Sequence, residues 1–354
     1  MATKPRIAFY WCSSCGGCEE TVVDLAEALL DVVAAVEIVF WPVALDFKRK
    51  DVEAMPDGSI AATFLNGAIR TTEQEEMARL LRSKSGLLVA FGSCSHLGGI
   101  PGLANLFDRE SILRTVYFES PSTVNPEGVL PVTSHHDDGH TVVLPEFHNT
   151  VRTLDQIVDV DYYVPGCPPT PRILRTALQT LLGGDLPAKG TVLAPDCALC
   201  DECPRKDTKP ETLSITEFKR PQDLIIDEQT CLLAQGLVCM GPATRSGCEA
   251  ACIQGNMPCT GCCGPTSRVR DQGQAVTDEL IRYDHDPHGA LYRLVRLVIG
   301  QETYFLLTDR QDLTTFQIIL LYAYRWQVEL LFRFLKRTLN GIPETRHPRR
   351  GCGD

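Results

Sequence analysis

Sixteen cysteines stand among the 354 residues, and their spacing is the part of the sequence that can do chemistry. Cys15-Gly16-Gly17-Cys18 is a C-x2-C pair, which a single turn can present as two thiolates. Its glycines let the backbone come close to a metal cluster and aim N–H groups at sulfide. Cys94, in Gly92-Ser93-Cys94-Ser95, and Cys167, in Pro165-Gly166-Cys167-Pro168-Pro169, complete the four thiolates that a 4Fe-4S cubane requires. C-x2-C pairs also suit tetrahedral zinc. Structural zinc usually knits one short segment, however, whereas Cys15, Cys94 and Cys167 span about 150 residues. The contiguous C-x2-C-x2-C-x3-C-P run of bacterial ferredoxins is missing, since no cysteine stands at the required offset after Cys18.

Something must bring these distant cysteines together, and the first 190 residues supply it. Arg6 to Trp11, Glu37 to Trp41, Ser59 to Leu65, Gly86 to Gly92 and Asp159 to Val164 read as strands. Glu19 to Leu30, Glu73 to Arg82 and Pro171 to Leu182 read as helices. Apolar strands alternating with helices predict an α/β fold, a flavodoxin-like doubly wound parallel sheet, whose sites form where loops leave the C-terminal ends of strands. Cys12, Cys15 and Cys18 follow the first strand. Cys94 and Cys167 follow strands ending at Gly92 and Val164. Residues 191 to 275 change character: ten cysteines lie between Pro195 and Thr266, among many Gly and Pro and little periodicity, so this segment needs inorganic staples. Residues 276 to 354 form a third region, in which Phe316 to Leu339 reads as an apolar helix, giving a helical C-terminal tail.

The formal charge of −11 argues against binding nucleic acid or an anionic membrane over the whole surface. From Ile281 onward eleven Lys/Arg face eight Asp/Glu, about +3, which leaves about −14 for the body. The longest apolar stretch, Phe316 to Leu335, is interrupted by Arg325, Glu329 and Arg333, so no membrane span is expected. Met1 to Pro5 leads straight into the first strand with no secretory or twin-arginine signal, which points to the cytoplasm. In a reducing compartment cysteines are metal ligands more often than disulfides.

The run Cys15-Gly-Gly-Cys18-Glu19, the Gly-Ser-Cys94 loop with Gly98-Gly99-Ile100-Pro101-Gly102, and Pro-Gly-Cys167-Pro-Pro resemble the small, electron-transferring subunit of NiFe hydrogenases. The related small quinone-oxidoreductase subunit of complex I shares this first domain but carries a single cluster. The resemblance implies that Cys15, Cys18, Cys94 and Cys167 hold a proximal 4Fe-4S cluster facing the nickel-iron centre of a large-subunit partner. A His-x2-Cys-Pro-Arg motif of the family is matched by Cys200-Asp-Glu-Cys203-Pro204-Arg205, with cysteine in place of histidine. Together with Cys231 and Cys239 it implies a distal cluster, and Cys248, Cys252, Cys259 and Cys262 imply a medial 4Fe-4S cluster. The absent leader and the all-cysteine clusters are most similar to the F420-non-reducing type. That type passes electrons to an iron-sulfur adaptor and on to a heterodisulfide reductase or formate dehydrogenase.

Cys12, Cys197, Cys263 and Cys352 are left over, each with a bland reading as a free thiol; Cys12 and Cys197 each precede a ligand by three residues and could replace it. His96, beside Cys94, is either a hydrogen-bonding neighbour of the proximal cluster or an ordinary loop histidine. Glu19 and Glu20 suit a helix N-terminus. His135-His136-Asp137-Asp138-Gly139-His140 reads as a solvated hairpin turn. The Gly98 to Gly102 loop has neither GxGxxG nor a P-loop lysine, so it gives no support for nucleotide binding.

A second resemblance lies in the tail. Tyr322, Arg325, Glu329 and Lys336 match the C-terminal signature of IS4-type DDE transposases, and Tyr304 to Asp309 is also similar. The two further aspartates of that chemistry should lie upstream, where the chain is hydrogenase-like, so no functional nucleic-acid binding or transposition is expected. The pattern implies a transposase-like remnant fused near residues 275 to 290. A zinc-stabilised, transposition-derived protein is the competing class, and it predicts zinc without sulfide and a basic body.

Overall fold

The computed structural model describes residues 4–210, 219–269, Gln272, 293–299 and 302–308. In chain order the first half runs β1 (Arg6–Trp11), α1 (Gly17–Val23), α2 (Ala28–Ala35), β2 (Glu37–Phe40), α3 (Arg49–Glu53), β3 (Ile60–Asn66), β4 (Ile69–Thr71), α4 (Thr72–Lys84) and β5 (Ser85–Phe91). It continues with α5 (Ser93–Leu97), α6 (Gly99–Gly102), α7 (Arg109–Arg114), β6 (Ser134–Asp137), β7 (His140–Val143), β8 (Phe147–Arg152), β9 (Tyr162–Val164) and α8 (Pro171–Gly183).

Six strands form one sheet in the order β10-β9-β5-β3-β1-β2, where β10 is Thr191–Val192, and every pairing in it is parallel. Parallel strands are buried on both faces, which is why β3 and β5 read as continuous apolar runs. Successive residues nevertheless face opposite ways. Ile7, Phe9, Phe64, Val89 and Phe91 pack on one side with α8. Ala8, Leu65, Leu88 and Ala90 pack on the other with Met77 and Leu81 of α4. The chain crosses to both sides of β1, so the loop after β1 opens at the switch point where such folds carry their sites.

The helices are specified locally. Thr71 Oγ1 accepts from the Gln74 N–H at 3.4 Å while Gln74 Oε1 accepts from the Thr71 N–H at 3.1 Å, a capping box that starts α4. Thr170 caps α8, Pro171 occupies its first turn, and Ile173, Leu174, Ala177, Leu178 and Leu181 form its buried stripe. The single helix expected over Glu19 to Leu30 is two: the chain breaks at Asp24, with Ala26 at φ +51°, and Leu25 turns into the core. β6 and β7 form the exposed hairpin expected around His135 to His140. The antiparallel β4–β8 pair has no counterpart among the sequence expectations.

The cysteine-rich segment contains two four-residue helices, α9 (Leu199–Glu202) and α10 (Ala251–Gln254), joined by turns. It packs with the sheet domain as one unit, Met1–Glu211 with Glu217–Val276; Thr212–Thr216 and Thr277–Asp354 form a second unit. Within the second unit, β11 (Arg293–Ile299) and β12 (Glu302–Thr308) pair antiparallel from Arg293↔Thr308 to Ile299↔Glu302. The described part of the tail is thus a hairpin, and the helix expected over Phe316 to Leu339 lies outside the described residues. No helix among the described residues is long and apolar enough to cross a membrane.

Candidate metal centres

All fifteen cysteines within the described residues are free thiols. Four sit in segments that leave the ends of three strands. Gly16, at φ +86°, lets the chain turn back after β1, and the Gly17 N–H points at Cys15 Sγ at 3.5 Å. Cys18, in the first turn of α1, is buried against the sheet core. Gly92 ends β5 at φ +86°, and a Cβ there would stand 2.3 Å from Cys18 Sγ, so only glycine lets the Cys94 loop approach. The Ser93 N–H bonds the Gly166 carbonyl at 2.7 Å and Thr21 Oγ1 bonds the Pro169 carbonyl at 2.9 Å, tying the Cys94 and Cys18 elements to the Cys167 loop. Burial, then the charges of Cys94, Cys167 and Cys15, pushes the Cys18 thiol well up. Cys167 is pushed up to about 11 by burial and by Cys94, Cys262, Cys15 and Cys252. Cys15 and Cys167 reach the surface.

Two further groups lie in the cysteine-rich segment. Cys200 is raised to about 12 by burial and senses Cys239, Cys203 and Cys231. The Arg205 N–H reaches Cys203 Sγ at 3.4 Å, and the Cys259 N–H reaches Cys239 Sγ at 3.4 Å. Cys252 is raised by burial and by Cys262 and Cys248. Cys259 accepts from the Gly261 N–H at 3.4 Å, is raised to about 12 by burial, and senses both Cys239 and Cys262. The Cys259 N–H on Cys239 Sγ joins the Cys259 and Cys239 loops, and the charges of Cys262 and Cys252 add to the rise at Cys167.

The leftover cysteines separate by environment. Cys12 belongs to the core on the opposite face of the sheet from Cys18. Cys197 pairs with Ser246 Oγ at 2.9 Å. Cys263, bland by its spacing, is fully buried in the core against which Cys248 and Cys262 pack, and its thiol helps to hold Cys248 down to about 7. Its only sequence signal is its position directly after Cys262. His96 packs against Tyr163 with ring centroids 4.4 Å apart and the planes tilted by 37°, and burial pulls it down to about 4, so it is neutral. Glu19 is buried in the first helix, accepts from Asn66 Nδ2 at 3.1 Å, and is raised by burial; Glu20 is exposed. In the sequence Arg205 stands out only as part of a motif, but it is buried and binds two loops at once.

Among the described residues no three His, Cys, Asp or Glu side chains converge on one ion-sized point. The donor set is instead thiol-only, distributed in groups, with backbone N–H groups aimed at sulfur and glycines where a Cβ would strike it. Burial and mutual repulsion disfavour thiolates held together without a cationic core, so these surroundings fit thiolate-ligated iron-sulfur clusters.

Residues 15–181 match the family described as NADH ubiquinone oxidoreductase, 20 Kd subunit, and residues 242–349 match the transposase DDE domain. The second match begins inside the cysteine-rich segment, upstream of the expected fusion point. The iron-sulfur subunit of the F420-non-reducing hydrogenase of Archaeoglobus profundus is 40% identical over 293 residues, covering 78% of this chain and 91% of the relative. The matching subunit of the F420-non-reducing hydrogenase of Methanothermobacter thermautotrophicus is 36% identical over 274 residues, covering 77% of this chain and 82% of the relative. A solved NAD+-reducing [NiFe]-hydrogenase in the H2-reduced state has a chain 30% identical, with a TM-score of 0.44, covering 51% of this chain and 92% of that one. With a relative at this identity matched over nine-tenths of its length, the chain belongs to the iron-sulfur subunit family of F420-non-reducing hydrogenases, components of oxidoreductase complexes.

Proposed function

We propose that this chain is the electron-transfer small subunit of a cytoplasmic NiFe hydrogenase, relaying electrons through three 4Fe-4S clusters. Cys15, Cys18, Cys94 and Cys167 would hold the proximal cluster, Cys248, Cys252, Cys259 and Cys262 the medial one, and Cys200, Cys203, Cys231 and Cys239 the distal one. The observation that carries the reading is the hydrogen bonding that ties the cysteine elements together: Ser93 to Gly166 and Thr21 to Pro169 around the first four, and the Cys259 N–H on Cys239 Sγ between the other two groups. Bound clusters would supply one-electron steps. The protein's own part is to space them, exclude water and offer N–H···S bonds that set their potentials.

The partner at the proximal end would be the large subunit carrying the nickel-iron site. Cys15 and Cys167 reach the surface there, and the segment after Cys94 exposes Leu97, Ile100, Leu103, Leu106 and Phe107, an apolar content that suits a protein interface. Onward transfer would run to an iron-sulfur adaptor and a heterodisulfide reductase or formate dehydrogenase. The complex I reading accounts for residues 15–181 but leaves the second and third thiol groups without a role. Co-expression with a NiFe hydrogenase large subunit tests the assignment. Co-purification with hydrogen-dependent dye reduction, abolished by Cys200→Ala with the large subunit still bound, is expected. Unchanged dye reduction in that variant would contradict the route through the distal group.

A further inference from the structure

Arg205 is 4% exposed, yet it sits in none of the ion pairs found among the described residues. Its guanidinium donates to the carbonyls of Asp227 at 3.2 Å, Thr230 at 3.4 Å and Ile253 at 3.1 Å, and to Asn256 Oδ1 at 2.7 Å. The Asp227 carboxylate, exposed and held by the Gln229 N–H and Thr230 Oγ1, feels the Arg205 charge at a distance but forms no ion pair with it. A buried cation satisfied only by neutral acceptors is costly unless negative charge lies close by.

The acceptors identify where that charge belongs. Thr230 immediately precedes Cys231 and Ile253 immediately follows Cys252, while the Arg205 N–H itself points at Cys203 Sγ. The Arg205 carbonyl takes the Thr208 hydroxyl at 2.8 Å, and that hydroxyl accepts from the Cys231 N–H at 2.8 Å. Asn256, at φ +60°, extends the bridge by donating to the Ile226 carbonyl at 3.3 Å. One side chain thus fastens the Cys203 turn, the Cys231 loop and the Cys252 loop. These carry ligands of two different clusters in the reading above, on which this inference rests.

We propose that Arg205 is a positioning residue that sets the separation of the distal and medial clusters, and that the clusters themselves are its counterions. Four thiolates outweigh the charge of a cubane core, so each cluster is an anion that becomes more negative on reduction. A fixed cation between the two favours the reduced form of both. The proximal cluster, whose loops make none of these contacts with Arg205, serves as an internal control.

The test is an EPR-monitored redox titration of the purified hydrogenase complex with wild-type, Arg205→Gln and Arg205→Lys subunits, with iron counted in each. Wild type must first hold about twelve iron; about four would sink the three-cluster reading and leave Arg205 aside as a separate question of loop packing. With the clusters present, the glutamine variant should lower both the medial and distal midpoints, each by about tenfold in the reduction equilibrium, about 59 mV for one electron. The proximal midpoint should stay put, and lysine, which keeps the charge, should recover most of the shift. Unchanged midpoints in a fully loaded glutamine variant, or an equal shift at all three clusters, would overturn the proposal. If the glutamine variant loses iron, the lysine variant decides: near-wild-type iron and midpoints support the proposal, and a loss as large as that of glutamine refutes the role of the charge.

Discussion

At Gly92 a single hydrogen atom makes room for the Cys18 thiol, a proposed ligand: a Cβ would stand 2.3 Å from Cys18 Sγ on a backbone at φ +86°. Gly92→Ala should therefore cost one cluster, lowering iron from about twelve to about eight per chain, with the proximal EPR signal lost and the other two kept. Full occupancy in that variant would contradict the geometry. The same scale bears on cysteines that spacing alone leaves ambiguous. Cys12 and Cys15 are three residues apart, and the sequence admits either. The sheet faces Cys12 into the core that holds Ala8, Leu65 and Ala90, across the sheet from Cys18, which favours Cys15 as the proposed ligand. Spacing could not reveal that Cys263 is buried in the core against which Cys248 and Cys262 pack, because that burial depends on the sheet domain.

Among the elements, β5, β9 and α4 are locked together by Asp161. Its Oδ2 accepts from the Leu88 N–H at 2.8 Å and from Arg82 Nη1 at 2.6 Å, and its Oδ1 pairs with Lys189 at 2.5 Å. Burial pushes this carboxyl up, but the Lys189, Arg82 and Leu88 donors outweigh it and hold it below the ordinary range. A carboxylate depressed on folding stabilises the protein above its unfolded value of about 3.9, and that stability drains away only as pH falls below it. Asp161→Asn should cost roughly 1–3 kcal/mol in urea unfolding of the holoprotein, by the same amount at pH 7 and pH 5. A difference that halves by pH 5 would contradict the sign. The sheet strands β1, β2, β3, β5 and β9 and the helices α4 and α8 are legible because apolar runs and caps are local signals, as at Thr71 and Thr170. The break between α1 and α2 is not, since what turns the chain at Ala26 is the burial of Leu25 in a core assembled from distant strands.

Over the whole molecule, every proposed ligand precedes residue 276, where the contacts divide the chain. The matched relatives account for about three-quarters of the chain, and a transposase-type match runs to residue 349. Ending the chain after Val276 should leave iron content and the EPR spectrum as in the full chain; a loss of iron would give the tail a part in cluster assembly. The central claim is a wire of three 4Fe-4S clusters. It is tested most directly by iron, acid-labile sulfide and zinc on anaerobically purified protein, with EPR after dithionite reduction. The account predicts about twelve iron and about twelve sulfide per chain, with interacting reduced-cubane signals. About four of each, or zinc without sulfide, would contradict it.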